Sequence, residues 1–105
     1  MKKGYVYLIG EEENIGKYKI GSTRASNVDK RLKQLQTGNP NHLYIKCHFE
    51  TNKPFKLEKM LHNKFKEHKV MNEWFELNDY EIECFENTCN KMQIIIDSLN
   101  ENPFF

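Results

Sequence analysis

Gly4-Tyr5-Val6-Tyr7-Leu8-Ile9-Gly10, a polar interval, and then Tyr18-Lys19-Ile20-Gly21 make up the stretch that decides the fold. Tyr5 to Ile9 is a β-branched and aromatic run of strand length, and Tyr18 to Ser22 is a second, shorter one. Between them Glu11, Glu12, Glu13, Asn14, Gly16 and Lys17 have turn chemistry. Two strands joined by a short polar loop predict an antiparallel hairpin. Alternation then puts Tyr5, Tyr7 and Ile9 on one face, and Val6 and Leu8 on the other. Taken alone, two tyrosines opposite Tyr18 and Lys19 are compatible with plain sheet filler, because aromatic residues favour strands.

Downstream of the hairpin, Ser26 with Asp29 three residues on resembles a capping box that opens a helix. Val28, Leu32 and Leu35 give that helix one apolar stripe, and Gly38 and Pro40 stop it. Arg31 lies on the border of the stripe, away from Lys30 and Lys33. A guanidinium edging inward needs an acceptor, either a carboxylate or a phosphate oxygen. Leu43 to Phe49 reads as a third strand with Leu43, Ile45, Cys47 and Phe49 on one face. Asn52 and Pro54 open a second helix with Leu57, Leu61 and Phe65 as its core stripe. Glu58 and His62, one turn apart on it, project side by side. Asn72 to Leu77 alternates as a short strand or extended segment, with Trp74 as a core plug or a base-stacking group. Asn78, capping with Glu81, starts a long helix over about 79–100. Its seam of Ile82, Phe85, Cys89, Met92, Ile96 and Leu99 suits packing along the domain or a homodimer contact. Pro103-Phe104-Phe105 is an apolar end.

With 105 residues, the length predicts one domain spanning 1–105. No apolar run approaches the ~20 residues that span a bilayer. Cys47, Cys84 and Cys89 are odd in number and lack zinc spacing, which suits reduced thiols and an intracellular, cytoplasmic or nuclear, protein. The net charge of +1 is unevenly spread. Residues 1–70 carry 15 Lys and Arg against 7 Asp and Glu, whereas residues 71–105 carry one Lys and 8 acids. A basic body with an acidic tail fits contact with a phosphate backbone, and it equally fits lysine-rich solvated helix faces.

Tyr-Val-Tyr, Lys-Ile-Gly, Lys-Arg-Leu-Lys-Gln-Leu, Thr-Gly-Asn-Pro, a Leu-His helix and Glu-Trp-Phe follow in order between Gly4 and Leu77. This ordered set resembles the GIY-YIG nuclease superfamily, and within it the viral and phage T5orf172 or MUG113-like domains. The resemblance implies an α+β fold: a small three-stranded antiparallel sheet flanked by helices, with a long C-terminal helix. It also implies a metal-dependent endonuclease that cuts DNA, duplex or branched, leaving 5′-phosphate and 3′-hydroxyl ends. Carried over by position, Tyr7 is the general base, Arg31 the phosphate clamp and Glu58 the ligand of one Mg²⁺ or Mn²⁺. Lys19 stands where the superfamily more often has a tyrosine. A phenol with a pKa near 10 needs neighbouring cations to lower it, and Lys19 and Arg31 are the candidates. His62 belongs to the Leu-His signature, as a partner of the ligand or as a proton carrier. Asn72 is an uncertain counterpart of the superfamily's late asparagine. Lys17, Arg24, Lys30, Lys33 and Asn39 are the expected nucleic-acid contacts. The alternative is a nucleic-acid-binding module of the same fold without catalysis.

Overall fold

A computed structural model describes residues 3–100, and the Pro103-Phe104-Phe105 end lies outside them. The elements are β1 (Gly4–Glu11), β2 (Lys17–Thr23), α1 (Val28–Gln36), β3 (Leu43–Thr51), α2 (Pro54–Lys64), β4 (Lys69–Met71), β5 (Trp74–Glu76), α3 (Asp79–Glu83) and α4 (Phe85–Asn100). The chain is α+β as expected, but its antiparallel sheet has five strands, in the order β3-β1-β2-β5-β4, and not three. The extra two are three-residue strands. β5 lies within the predicted extended segment, whereas β4 is exposed throughout and has no hydrophobic alternation to betray it.

β1 is paired on both edges and covered on both faces, so Val6, Tyr7, Leu8 and Ile9 are all essentially inaccessible. Two apolar clusters result. On one face Val6, Leu8, Tyr18 and Ile20 meet Leu57, Leu61, Phe65, Phe75, Phe85, Cys89 and Ile96. On the other, Tyr7 and Ile9 meet Val28 and Leu43, with Leu32, Leu35, Ile45 and Trp74 at the margin. Full burial of each large aliphatic side chain stabilises the fold by about 1.5–3 kcal/mol.

Several local expectations change. α1 is capped by Asn27, not Ser26: Asn27 is extended (φ −155°, ψ 164°) and its Oδ1 accepts from Lys30 N at 3.0 Å. In β3 the four apolar residues do not share a face. Leu8 pairs with Cys47 and Ile9 with Ile45, so Lys46 is an extra residue in a β-bulge. The bulge shifts the alternation by one, sending Leu43 and Ile45 to the α1 side and Cys47 and Phe49 to the α2 side. Trp74 is only half-buried, and the core plug is its neighbour Phe75. The single long helix is interrupted at Cys84 (φ −89°, ψ 1°), where a tightened turn ends α3. Neither Gly nor Pro marks the place in sequence. The Asn78–Glu81 capping box is present. Ile82, Phe85, Cys89, Met92 and Ile96 pack into the chain's own core, so a homodimer through α4 would have to use its other side, where Ile94, Ile95 and Leu99 are exposed.

Candidate active site

The site forms where β2 loses its outer partner. β5 pairs with β2 only across Lys17, Tyr18 and Lys19, and the last backbone link is Ile20 N to Glu73 O at 3.0 Å. Beyond it lies Gly21, register partner of Tyr7. A Cβ at Gly21 would lie 2.6 Å from Tyr7 Cζ, so the phenol ring crosses the space a side chain would fill. The glycine is there for close approach.

Arg31 reaches in from α1, and its Nε donates to Tyr7 Oη at 3.3 Å while Nη1 donates to Gln34 Oε1 at 3.2 Å. Both acceptors are neutral, and among the described residues no carboxylate pairs with this guanidinium. The border position on α1 therefore leads to a phenol, not to the buried carboxylate that the sequence left open.

On the α2 side of the same edge, Ser22 hydrogen-bonds Glu58 Oε1. His62 Nε2 lies 2.8 Å from Ile20 O and 3.6 Å from Glu58 Oε2. A carbonyl only accepts, so Nε2 carries a proton and donates it. His62 is further fixed edge-on against Phe75, with ring centroids 4.9 Å apart. The Nε2 proton is thus committed to the β2 backbone, and Glu58 Oε2 lies beside the ring without a hydrogen bond to it. Glu58 keeps about a fifth of its side-chain surface exposed.

Lys19 is not aimed at the phenol. Its Nζ pairs with Glu73 Oε2 at 2.8 Å, and Glu73 sits in the β4–β5 turn. Of the two cations expected to lower the Tyr7 pKa, Arg31 acts on it and Lys19, paired with Glu73, does not. Burial pushes the Tyr7 phenol above its usual value, the Arg31 hydrogen bond and charge pull it down, and Glu73 and Glu58 push it up again. Burial and the two carboxylates win. Tyr18 is buried on the opposite face, as its alternation predicts.

The remaining predicted residues lie around this centre. Arg24, just past β2, sits over the Phe55 ring. Lys30 and Lys33 are exposed on α1, and Lys17 is partly exposed at the start of β2. Asn39 is at the far end of the sheet, where its Oδ1 accepts from Asn41 N at 2.9 Å and Asn41 in turn bonds Glu11. Asn72 takes a left-handed turn conformation (φ 52°) between β4 and β5. Sequence reasoning missed Ser22 and Glu73. Ser22 carries no signal beyond following Gly21, and Glu73 is one acid in an acidic segment.

The T5orf172 domain matches residues 4–93, which includes every element from β1 into α4. The chain belongs to the T5orf172 domain family. Its match runs past the predicted motif core of 4–77 and takes in α3 and most of α4, whose Phe85 and Cys89 complete the core beneath Glu58 and His62. Comparison with curated proteins and with solved structures returns no match. Membership is consistent with a nuclease-like or nucleic-acid-binding module. No helix among the described residues is long and apolar enough to cross a membrane.

The T5orf172 chain also has a donor set that can be tested against a divalent ion. Among its described residues no three His, Cys, Asp or Glu side chains gather into a metal cluster. Glu58 is nevertheless a hard oxygen donor, partly open and held by the Ser22 hydrogen bond. One carboxylate supplemented by water and phosphate oxygens is an ordinary way to hold Mg²⁺. The residues fit.

Proposed function

We propose that this protein is a GIY-YIG-type endonuclease that hydrolyses DNA phosphodiester bonds, acting on duplex or branched DNA. The observation that carries this reading is the Arg31 guanidinium, matched only by neutral acceptors and held beside Tyr7 at the edge where Glu58 is anchored. An uncompensated, positioned guanidinium suits the non-bridging oxygens of a phosphate and the charge that grows on them in the transition state. Tyr7 takes the proton of the attacking water as its oxygen bonds to phosphorus. The opposite P–O bond breaks to leave a 5′-phosphate, and the departing 3′ oxygen is protonated from solvent. Before that step the phenol must itself lose a proton, so its raised pKa makes the reaction favour alkaline solution. Glu58 would hold Mg²⁺ or Mn²⁺, whose chemistry when bound is to draw off charge from the leaving oxygen. Ser22 orients that carboxylate by its hydrogen bond, and His62, fixed to the β2 backbone, stands beside it. Lys17, Arg24, Lys30, Lys33 and Asn39 would contact the backbone of the nucleic acid, which gives affinity without sequence preference.

The raised Tyr7 pKa specifically favours a second reading, a nucleic-acid-binding module that keeps Arg31 and the basic surface without turnover. One experiment separates the two. Supercoiled plasmid and branched DNA are incubated with the protein in Mg²⁺, Mn²⁺ or EDTA, beside Tyr7→Phe and Glu58→Ala. Metal-dependent cleavage lost in both variants supports the nuclease. Salt-sensitive binding without cleavage in any metal supports the binding module.

A further inference from the structure

Phe55 is the one phenylalanine among the described residues whose ring stands in solvent, 61% exposed. Its backbone is not loose. Pro54 before it and Leu57 after it are fully buried, and Pro54 packs where Gly4 leaves no room for a side chain. The Arg24 guanidinium lies over the ring, 5.5 Å from its centroid, and holds the platform from the end of β2. Phe55 is one turn before Glu58 on α2, and Arg24 is two residues after Ser22, the residue bonded to Glu58. The aromatic platform therefore rests on the two elements, the end of β2 and α2, that position Ser22 and Glu58. Glu58 is the only acid on α2, which also carries Lys56, Lys59 and Lys64. A phosphate strand suits that surface.

We infer that Phe55, backed by Arg24, is a stacking platform for an unpaired nucleobase next to the phosphate held at Arg31 and Glu58, so that the preferred substrate has a bulged, flapped or single-stranded nucleotide there. This deepens the proposed function and rests on the reading of that edge as a nucleic-acid site. Every base offers a π-face to an aromatic ring, so the platform selects for structure and not for sequence. In an intact duplex the base must first be unstacked and unpaired, and that cost is smallest for a nucleotide already unpaired.

The test is a binding measurement in EDTA, where no cleavage is read. A hairpin with a 2-aminopurine bulge and its fully paired counterpart are titrated with the wild-type chain, Phe55→Ala, Phe55→Trp and Arg24→Gln. Wild-type protein is expected to quench the bulged 2-aminopurine. Phe55→Ala is expected to lower affinity for the bulged strand on the order of tenfold more than for the duplex. Phe55→Trp should restore the quench, and Arg24→Gln should weaken it partially. An equal loss on both oligonucleotides, or a quench that survives in Phe55→Ala, overturns the platform while leaving the nuclease reading intact. A Phe55-dependent quench in a protein that never cleaves supports the platform and refutes the nuclease. Wild-type protein that binds neither oligonucleotide refutes both. Unchanged melting of the Phe55 variants, expected for a ring this exposed, separates lost stacking from lost folding.

Discussion

Gly21→Ala tests the geometry of the site with one methyl group. Gly21 has no left-handed backbone requirement, and the three atoms nearest to an alanine Cβ there all belong to the Tyr7 phenol. The new Cβ would lie 2.6 Å from Cζ and 2.8 Å from Cε1, where ordinary contact begins near 3.4 Å. The phenol, whose hydroxyl is the atom nearest the new Cβ, would have to retreat by about 1 Å. Tyr7 is 1% exposed and sits among Ile9, Val28 and Leu43, so the retreat strains its neighbours. Overpacking of this kind costs about 1–3 kcal/mol, and each kcal/mol lowers the melting temperature of a domain this size by about 4–8 °C. The 3.3 Å bond from Arg31 is already long and would not survive the shift. Misplacement near 1 Å in an active site costs roughly a hundredfold in rate. Calorimetry and the plasmid assay would be run on Gly21→Ala, Tyr7→Leu and the double variant. Leucine removes the hydroxyl and the two ring atoms nearest the new Cβ, so Gly21→Ala should be neutral or stabilising in that background, a coupling of about 1–3 kcal/mol. Gly21→Ala as stable as wild type, or equal costs in both backgrounds, would refute the argument that the glycine exists to admit the ring.

Ser22→Ala removes the hydrogen bond that orients Glu58 and should lower cleavage by about 10- to 100-fold while raising the Mg²⁺ or Mn²⁺ concentration for half-maximal rate. An unchanged metal titration would count against that role. Glu73→Gln removes a charge that raises Tyr7 and releases Lys19, so the alkaline rise in cleavage should move to lower pH; an unmoved or upward-moving limb would show that Tyr7 is not the group titrating. Burial pushes the Cys47 thiol up to about 11 and Cys89 to about 12, both from 9.0. Their folded-state values lie above the unfolded ones, so their stability contribution is complete below pH 9 and fades as pH rises through 11 and 12. For Cys89 this amounts to at most about 4 kcal/mol. Cys89→Ala should therefore flatten the alkaline decline seen in urea melts between pH 9 and 12, and an identical decline would refute the assignment.

Much of this architecture is legible because β1 and α2 are locally self-consistent. Tyr5 to Ile9 alternates and is β-prone, and both of its faces are buried in the structure. Leu57, Leu61 and Phe65 repeat at helical spacing and all reach the core. The misreadings fall where a single residue breaks a period. Lys46 inserts into β3 with no glycine or proline to mark it, and strict alternation then assigns Cys47 and Phe49 to the wrong face. β4 is three exposed residues, below the length at which any period exists. At the site, Tyr7, Arg31, Glu58 and His62 were all reachable from the sequence, and the structure brings them to one sheet edge. Their charges were not reachable. Whether Lys19 acts on Tyr7 depends on Glu73, 54 positions away, and no spacing along the chain reports that pairing.

The same long-range pairing explains why the site lies at an edge and not on a face. Tyr7 and Arg31 belong to the α1 side of the sheet, and Ser22, Glu58 and His62 to the α2 side. A continuous sheet would keep these two sets apart by its own thickness. Contact around the edge requires β2 to be unpaired on its outer side at Gly21, and Gly21 to present no side chain to block the ring. The short β4–β5 hairpin meets the first condition. It ends at the Asn72–Glu73 turn, where Asn72 accepts the left-handed backbone and Glu73 closes the pairing through Ile20 N and Lys19. Had β5 been longer, it would have covered Gly21, and a phosphate reaching Arg31 from the Glu58 side would have met backbone. The brevity of β5 and the bare Gly21 are thus one structural requirement expressed in two separate parts of the chain. Lengthening the hairpin should abolish cleavage without lowering stability, and an active lengthened variant would place the reaction on the α1 face alone.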